Sequence, residues 1–368
     1  MKILVSCVPF DRGKSGISVY IRNLIAGLEK DGHELTLIVE PGVEEFFHGR
    51  KLIVLPKWTG KPLFSMFYHL FVLPFRLFSA KRWDFCVIAA ANRRAFCFYP
   101  LFTVCVVHDL AQYHVASKYD RFRTCYLKTV LPFFVRRAGS VVAISRSTAA
   151  DLVRFWKVKP EKITVCLNGL SLSEQKETGW AGRLSLGGGY ILYVSRIEHP
   201  GKNHLNLIKA YEMLDESLRA EHPLVIAGAD WHGAETVHRY ALESMDPARI
   251  IFTGFIAASD LYDAYMHAAC YVFPSYFEGF GLSLIEAMHY GIPCCCSDNS
   301  SLGEIGEGAA LLFPPSEPEA IAVALTKILT DQPLRERLIE AGRKRAAMFS
   351  WSDHVAKIVG IYEKHRKK

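Results

Sequence analysis

Residues 274–293 read PSYFEGFGLSLIEAMHYGIP, and this stretch decides the fold of the second half of the chain. The apolar run just before it, residues 269–273, is typical of a buried strand, and apolar residues continue after it at helical spacing. The pattern predicts a strand, a glycine turn and a helix. Gly279 and Gly281 flank the turn, where the missing Cβ atoms permit positive φ and let a ligand lie against main-chain amides at the helix N-terminus.

Two carboxylates accompany this turn. Glu278 precedes the predicted helix and Glu286 lies eight residues later inside it. Carboxylates accept hydrogen bonds, so this spacing suits the hydroxyls of two parts of one elongated ligand. For an isolated pair the alternative is that Glu278 interacts with the helix dipole and Glu286 is a solvated helix residue.

The complete string resembles the Glu-x7-Glu signature of retaining glycosyltransferases of family 4, which has the form E-G-F-G-L-x-x-x-E-A-M-x-x-G-x-P. The resemblance implies that Glu278 contacts hydroxyls of the donor sugar and that Glu286 contacts the ribose of the nucleotide. It also implies that main-chain amides of the turn face the sugar and the diphosphate. The residues of that turn are Gly279, Phe280, Gly281 and Leu282.

The length of 368 residues predicts two domains, and a hydrophobic content of 50% excludes a disordered chain. Lys and Arg outnumber Asp and Glu by 44 to 37, which gives a formal net charge of +7. This charge suits phosphate-bearing ligands or an anionic membrane surface, and equally an enzyme with neither partner. Nucleic acid is not an expected partner.

Ten cysteines are present, but no Cys-x2-Cys pair occurs, and most lie in apolar, strand-like runs. Buried free thiols in a reducing cytosol are therefore favoured over a disulfide framework or a zinc site. The first residues, MKILVS, are typical of a strand and not of a charged-then-apolar leader. We therefore expect a cytoplasmic protein, which the family resemblance would place at the inner face of the cell membrane.

Short runs rich in Val, Ile and Leu alternate with amphipathic stretches along the whole chain, which predicts parallel strands covered by helices on both faces. The predicted strands span residues 2–7, 34–39, 51–55, 85–90, 104–109, 140–145, 163–167, 190–194, 223–227, 250–254, 270–274 and 292–297. Glycines between residues 179 and 189 indicate a linker. The predicted domains are therefore 1–178 and 179–350. The resemblance implies the GT-B fold, with two Rossmann-like domains facing across a cleft and residues 351–368 returning to the first domain.

The loop after the first predicted strand contains Gly13-Lys14-Ser15-Gly16. It is not a P-loop, because Val8 stands where the motif requires glycine, and no G-x-G-x-x-G fingerprint is present. A flexible loop at a helix N-terminus remains, which is a general anion site. The loop resembles the first glycine loop of family 4, which implies donor binding at Gly16, although Lys14 departs from the family pattern.

Two segments of the first half combine aromatic and basic residues. Residues 63–85 place aromatic side chains at spacings of three and four, and residues 117–131 place aromatic and basic side chains on different helical faces. The apolar part of the first segment is too short to span a membrane. Such a stripe is usually core, and the alternative is burial in a membrane interface.

His108 lies at the carboxyl end of a predicted strand, where open parallel sheets bind ligands. Arg196 also ends a strand, and Lys202 follows it across a turn, so the two cations suit a diphosphate. The family resemblance implies that His108 faces the donor sugar and that Arg196 and Lys202 bind the diphosphate, with Ser195 in the usual glycine position. It further implies that the segment containing Phe255 and Ile256 holds the base.

Together these features predict a retaining hexosyltransferase that uses a UDP- or GDP-linked sugar, such as a mannosyl or glucosyl donor. The expected acceptor is a saccharide or lipid-linked hydroxyl in surface-polysaccharide synthesis. The expected catalytic residues are His108, Arg196, Lys202 and Glu278. No cofactor is expected, and the lack of an Asp-x-Asp motif predicts metal independence. An inactive nucleotide-sugar-binding subunit and another GT-B enzyme, such as a sugar-nucleotide epimerase or a phosphorylase, remain the alternatives.

Overall fold

The computed structural model describes residues 1–13, 15–78, 82–115, 120–172, 175–186 and 189–367. The chain divides into two compact units. Unit 1 comprises Met1–Gly169 and Ser350–Lys368, and unit 2 comprises Leu170–Phe349. Each unit is a parallel β-sheet with helices, as the alternating sequence pattern predicts.

The described residues contain thirteen strands. Those of unit 1 are β1 Lys2–Ser6, β2 Glu34–Val39, β3 Lys51–Val54, β4 Phe85–Ile88, β5 Thr103–Val107, β6 Ser140–Ala143 and β7 Ile163–Val165. Those of unit 2 are β8 Tyr190–Val194, β9 Leu224–Ala227, β10 Ile250–Gly254, β11 Ala268–Phe273, β12 Cys294–Ser297 and β13 Leu311–Phe313. The twelve predicted strands are confirmed, and β13 is the strand that the sequence did not predict.

Sixteen α-helices lie in the described parts of the chain. They are α1 Gly16–Lys30, α2 Pro62–Phe67, α3 Leu73–Phe78, α4 Arg121–Cys125, α5 Leu131–Val135, α6 Arg146–Arg154, α7 Trp180–Arg183, α8 His204–Glu212, α9 Glu216–Glu221, α10 Ala234–Leu242, α11 Ala258–Met266, α12 Leu282–His289, α13 Ser300–Gly306, α14 Pro318–Thr330, α15 Gln332–Ala346 and α16 Trp351–Arg366. One π-helical turn joins α2 to α3, and another joins α4 to α5.

The two sheets share one strand order over six strands, and the sheet of unit 1 has β7 as a seventh strand. Their strand orders are β3-β2-β1-β4-β5-β6-β7 and β10-β9-β8-β11-β12-β13, and every pairing is parallel. The strand order therefore reverses between β1 and β4 in unit 1, and between β8 and β11 in unit 2. Open α/β sheets bind ligands at the carboxyl ends of the strands beside such a reversal. The predicted doubly wound class is confirmed in both units.

The change from unit 1 to unit 2 falls at Gly169, nine residues before the predicted boundary at residue 178. The glycine-rich stretch read as a linker starts with α7, which belongs to unit 2. The Trp180 side chain is buried, and its main-chain N–H donates a hydrogen bond of 2.5 Å to Asp263 Oδ2 in α11. Tertiary packing, which local composition does not show, therefore orders the first part of this stretch, at α7.

The last helix, α16, packs in unit 1 against α1. A Cβ atom at Gly27 of α1 would lie 2.6 Å from Val355 Cγ2, so the glycine permits the close approach of the two helices. The Tyr362 ring stacks on Phe85 of β4 with centroids 4.7 Å apart. The segment from Ser350 onward thus completes the core of the first unit.

The aromatic stripe of α2 and α3 is not core. Five phenylalanine side chains are 42–68% exposed, namely Phe64, Phe67, Phe71, Phe75 and Phe78. Tyr68, from the same stretch, is buried, and so is Tyr126 in the second segment, whereas Phe122 is exposed. The core interpretation of the first segment is therefore wrong for its phenylalanines, because their shared helical face points to solvent.

Several residues used in the sequence analysis lie outside the described residues, namely Lys14, Lys81, Lys118, Tyr119, Gly187 and Gly188. The ten cysteines carry free thiols; eight are buried, Cys97 is partly buried and Cys125 is exposed. In the part of the chain that the structure describes, no helix combines the length and apolar character needed to cross a membrane.

Candidate active site

Two loops of unit 2 are joined at the carboxyl edge of its sheet. One follows β8 and contains Lys202, and the other follows β11 and contains Glu278. The Tyr193 hydroxyl donates to the Lys202 carbonyl oxygen at 2.9 Å and lies 3.1 Å from Ser275 Oγ. The main-chain N–H of Tyr276 donates to the Gly201 carbonyl at 3.1 Å. These bonds hold the two loops side by side.

Asn203 fixes the end of the first loop, directly before α8. Its φ of 59° lies in the left-handed region, which asparagine tolerates better than most residues. Its buried amide nitrogen donates to the carbonyl oxygens of Pro274, at 2.9 Å, and Pro315, at 2.6 Å. The backbone next to Lys202 is therefore anchored to two distant parts of unit 2.

This framework brings together two of the predicted catalytic residues. Lys202 Nζ donates to Glu278 Oε1 at 2.6 Å, and both side chains are mostly buried, with 17% and 16% exposure. A pair in this environment is screened less by solvent than a surface pair. The ammonium retains further N–H donors and the carboxylate retains acceptor capacity, so both groups can also bind a ligand.

Two serines that the sequence analysis missed hold the Glu278 backbone. The main-chain N–H of Glu278 donates to Ser300 Oγ at 3.2 Å. The Ser301 hydroxyl donates to the carbonyl oxygens of Glu278, at 2.8 Å, and Phe280, at 2.6 Å. Adjacent serines at a helix start are too common to have indicated this role from the sequence.

The glycine turn has the predicted form, with one difference. Gly281 has φ +127°, and a Cβ atom there would lie 2.9 Å from Leu302 Cδ2. Gly279 is not among the glycines with positive φ, so only one of the two flanking residues uses that freedom. The first turn of α12 has no side-chain cap. Its amides therefore remain suited to an anionic ligand.

Glu286 lies further along α12 and is half-buried. The Tyr265 hydroxyl donates to its Oε2 at 2.9 Å. Burial raises the pKa of Glu286 to about 7, and the hydrogen bond from Tyr265 opposes that rise. The carboxyl group thus changes its protonation near neutral pH. Nothing in the local sequence indicates the pairing of Glu286 with Tyr265 of α11.

Arg196 lies at the end of β8, with a partly exposed side chain. Its Nη2 is 3.4 Å from Glu198 Oε2, and its guanidinium carbon is 5.0 Å from the centre of the Trp231 ring. In the predicted base-binding segment, the Phe255 side chain is exposed and Ile256 is buried. Of the predicted residues in unit 2, the structure therefore pairs Lys202 with Glu278, whereas Arg196 has other partners.

The remaining predicted residues, Gly16 and His108, belong to unit 1. His108 is buried, its Nε2 is 2.7 Å from the Ala89 carbonyl oxygen, and its ring contacts Tyr20 edge-on at 4.6 Å. Because a carbonyl only accepts, Nε2 carries the proton. Burial lowers the pKa of His108, and the Ala89 hydrogen bond opposes this shift. The neutral ring therefore offers Nδ1 as an acceptor.

Gly16 is the first residue of α1, and a Cβ atom at this position would meet no atom within 4 Å. The adjacent loop is closed by Asp11, whose Oδ1 accepts from the Ser15 main-chain N–H at 3.1 Å and from Ser18 Oγ at 2.5 Å. Ser15 in turn caps α1 by accepting from the Ser18 N–H. The main-chain N–H groups of Ser15 and Ser18 at this helix N-terminus thus already donate to side chains of the same segment.

Two family models match most of the chain. The model described as "Glycosyl transferases group 1" matches residues 175–345, and the model "Glycosyltransferase Family 4" matches residues 14–174. The O-antigen chain mannosyltransferase B of Escherichia coli is 25% identical over 273 residues, which is 71% of this chain and 70% of that protein. The serotype-specific mannosyltransferase WbdA of Escherichia coli is 30% identical over 266 residues, covering 69% of this chain and 32% of WbdA.

Solved structures resemble the chain over its full length. Sucrose-phosphate synthase from Thermosynechococcus elongatus superimposes with a TM-score of 0.75 at 22% identity, covering 100% of this chain and 99% of that one. Anabaena HepE in complex with UDP and glucose has a TM-score of 0.74 at 16% identity, covering 99% and 100%. At these identities the likeness establishes the fold, which is GT-B.

Proposed function

The chain belongs to the group 1 glycosyltransferases of family 4 and has the GT-B fold, and on this premise we propose that it is a retaining hexosyltransferase. It moves a hexosyl group from a nucleoside-diphosphate sugar to a hydroxyl of a saccharide or lipid-linked acceptor. The observation that carries this proposal is the mostly buried ion pair between Lys202 and Glu278, in which Glu278 lies four residues before Leu282, the first residue of the uncapped helix α12.

The cations of unit 2 stabilise the leaving group in this proposal. Breaking the bond between the anomeric carbon and the phosphate oxygen leaves negative charge on the diphosphate. Lys202, Arg196 and the amides of Gly279, Phe280, Gly281 and Leu282 bind that charge more strongly as it develops, which is the condition for lowering the barrier. The proton of the attacking hydroxyl passes to the departing phosphate.

The carboxylates and the histidine hold the donor. Glu278 accepts from hydroxyls of the sugar, Glu286 accepts from the ribose, and neutral His108 contacts the sugar. We also propose that Gly16 contacts the donor, and that main-chain groups at Phe255 and Ile256 hold the base. We assign Glu278 a positioning role and not that of a covalent nucleophile, because its carboxylate is already bound by Lys202.

Neither a cofactor nor a divalent ion is required in this mechanism, because two cationic side chains supply the charge that a metal would bring. Activity that persists in EDTA and is not increased by added Mg²⁺ or Mn²⁺ is the expected result. Strict loss of turnover in EDTA, with recovery on adding one of those ions, would overturn this part of the proposal.

The donor and the role in the cell follow from similarity. The two Escherichia coli relatives are named mannosyltransferases, one of them of the O-antigen chain, and HepE was solved with UDP and glucose. We therefore expect a mannosyl or glucosyl donor linked to GDP or UDP, and a role in surface-polysaccharide synthesis.

The first experiment is a thermal-shift titration with UDP, GDP and ADP, because a ligand that binds only the folded protein raises its Tm. One nucleotide should raise the Tm of the wild type and of Glu319→Ala, which removes an exposed carboxylate of α14. The same nucleotide should fail to stabilise Glu286→Ala. The absence of any shift with wild-type protein would count against the nucleotide site proposed in unit 2 and favour an unrelated ligand.

The second experiment asks whether bound donor is consumed. UDP-glucose or GDP-mannose, matched to the nucleotide that binds, should be hydrolysed slowly or transferred to added saccharide. Analysis of the product anomer by NMR tests retention. Binding without turnover would identify a nucleotide-sugar-binding subunit, and interconversion of two sugar nucleotides without transfer would identify an epimerase.

We further propose that unit 1 contacts an anionic membrane through an aromatic face. We define this face by its exposed apolar side chains, which are Trp58, Leu63, Phe64, Phe67, Phe71, Phe75, Phe78, Phe122 and Phe133. The ring centroids of Phe71 and Phe134 are 6.4 Å apart, and the Phe134 ring contacts that of Phe133. The two segments that combine aromatic and basic residues therefore meet in one surface. Residues 57–78 and 121–137 carry eight Lys and Arg and no Asp or Glu.

Such a surface fits the interface of a bilayer that contains anionic lipid. The chain should sediment with vesicles of phosphatidylcholine and phosphatidylglycerol, and less with phosphatidylcholine alone. Phe75→Ser with Phe78→Ser should weaken this binding, and Leu242→Ser, which removes an exposed leucine of unit 2, should not. Equal binding of all three proteins would refute the assignment of the face.

A further inference from the structure

Trp231 lies beside the cation that the proposed function assigns to the diphosphate. Its side chain is 59% exposed, although tryptophan is usually well buried. The guanidinium carbon of Arg196 lies 5.0 Å from the centre of its ring, within the range of a cation–π interaction. Tryptophan is the aromatic residue that attracts a cation most strongly.

The backbone holds Trp231 in register with Arg196. Beyond the ends of β8 and β9 the chain continues as a short parallel ladder, in which Ile197 pairs with Asp230. The Ile197 N–H donates to the Ala229 carbonyl at 3.0 Å, and the Trp231 N–H donates to the Ile197 carbonyl at 3.0 Å. Two further main-chain bonds, from His199 to His232 and from Ala234 to Trp231, extend this segment to the start of α10.

Arg196 is thus restrained from two directions. Glu198, whose side chain is buried, lies 3.4 Å from Nη2, and the Trp231 ring lies against the guanidinium. A cation–π contact engages the charge without using the N–H donors. The guanidinium has five such donors, so several remain for phosphate oxygens. Fixing the side chain beforehand lowers the entropy lost when the ligand binds.

We propose that Trp231 is a positioning residue that orients Arg196 for the diphosphate of the donor. This inference rests on the proposed function and adds a residue to its site. Trp231 acts here through Arg196 and does not itself bind the base or the ribose. Replacing Trp231 should therefore weaken the binding only of ligands that carry the diphosphate.

The test is calorimetric titration of wild type, Trp231→Leu and Trp231→Phe with UDP and uridine, and with GDP and guanosine. For the nucleotide that wild type binds, the Kd of Trp231→Leu should rise about 2- to 5-fold, as expected for loss of one cation–π contact. Trp231→Phe should recover part of this loss. The Kd for the nucleoside should not change, and Leu242→Ser, which removes a 76% exposed leucine of unit 2, should behave as wild type.

A double-mutant cycle with Arg196→Ala separates this role from a structural one. In the Arg196→Ala background, Trp231→Leu should have no further effect on the Kd for the diphosphate. Additive effects, or equal weakening of nucleoside and nucleotide, would overturn the inference while leaving the proposed function intact. If wild-type protein binds none of these nucleotides, the proposed function fails, and this inference fails with it.

Discussion

The two units share one strand order but differ at the carboxyl edge of the sheet. In unit 2 this edge carries charged groups in direct contact, with Lys202 bonded to Glu278 and Arg196 beside Glu198. In unit 1 the corresponding edge contains the buried ring of His108, which bonds to a main-chain carbonyl. The same scaffold thus supports a site suited to charge in one unit and a neutral hydrogen-bonding site in the other.

One helix that starts at each of these edges, α1 in unit 1 and α12 in unit 2, differs in the same sense. The N-terminus of α1 is capped by Ser15, and Asp11 lies close to it, whereas the N-cap residue of α12 is Gly281, which provides no side-chain cap. An acidic side chain already interacts with the positive end of α1, and the positive end of α12 is left for a ligand. Topology alone therefore does not decide which unit binds an anion.

The largest effect that we expect is that a fall in pH destabilises unit 1 more than unit 2. Burial lowers the pKa of His69 to about 3, of His354 to about 4 and of His108, all in unit 1, and in unit 2 that of His204 to about 3. Below pH 6.5 the unfolded chain takes up protons that these folded residues exclude, so the free energy of unfolding falls as the pH falls. His69, His354 and His204 should each lower it by about 2 kcal/mol at pH 5, and His108 acts in the same direction.

The raised pKa of Glu286 works in the opposite direction, because its folded form holds a proton that the unfolded form releases between pH 4.5 and 7. Unit 1 should therefore open first as the pH falls from 7 to 5. Hydrogen exchange read by mass spectrometry, corrected for intrinsic rates, should show faster exchange in β5 than in β11. His69→Gln should reduce that difference, and earlier opening of unit 2 would contradict the comparison.

Removing the cation of the central ion pair should have the next largest effect. Lys202→Met takes away charge from the leaving diphosphate, and loss of one such group typically lowers kcat by about 10²- to 10³-fold. Initial rates of donor turnover provide the measurement. Lys209→Met, which removes an exposed lysine of α8, is the control. Unchanged turnover in Lys202→Met would contradict the proposal that the reaction takes place at the ion pair of unit 2.

Much of the fold was predictable from the sequence, because parallel strands covered on both faces leave nearly continuous apolar runs. The run before Glu278 and the glycines after it specify strand, turn and helix locally. That Lys202 and Glu278 belong to one site was predictable, but their direct ion pair was not. It forms because both residues follow strands that are neighbours in the sheet. β13, which has three residues, was not among the predicted strands.

Partners from distant segments were not predictable. Ser301, Tyr265 and Trp231 reach the site through packing, and nothing in their local sequence indicates it. The aromatic stripe shows a different limit. Helical spacing predicts that Phe64 and Phe71 share a face with their neighbours, but not whether that face meets the core or the solvent.

Two glycines provide a smaller test of the same contrast. Gly281→Ala places a Cβ at φ +127° and 2.9 Å from Leu302 Cδ2, so it should lower the free energy of unfolding by about 1–3 kcal/mol. Gly16→Ala adds a methyl group in open space and should change stability by about 0.5 kcal/mol or less. Urea unfolding measures both. If Gly16→Ala weakens donor binding without loss of stability, the predicted role of Gly16 is supported.

The pH dependence of nucleotide binding is the smallest expected effect. Because the pKa of Glu286 is about 7, its carboxylate becomes the dominant form above that pH, and an ionised carboxylate accepts ribose hydroxyls better than a neutral acid. The affinity of wild type for UDP or GDP should therefore rise about 10-fold at most from pH 6 to pH 8. In Glu286→Gln the part of this pH dependence that comes from Glu286 should disappear. The part that comes from ionisation of the nucleotide phosphate should remain. Identical pH profiles in calorimetry for the two proteins would mean that Glu286 does not touch the nucleotide, and the charged edge of unit 2 would then end at Glu278.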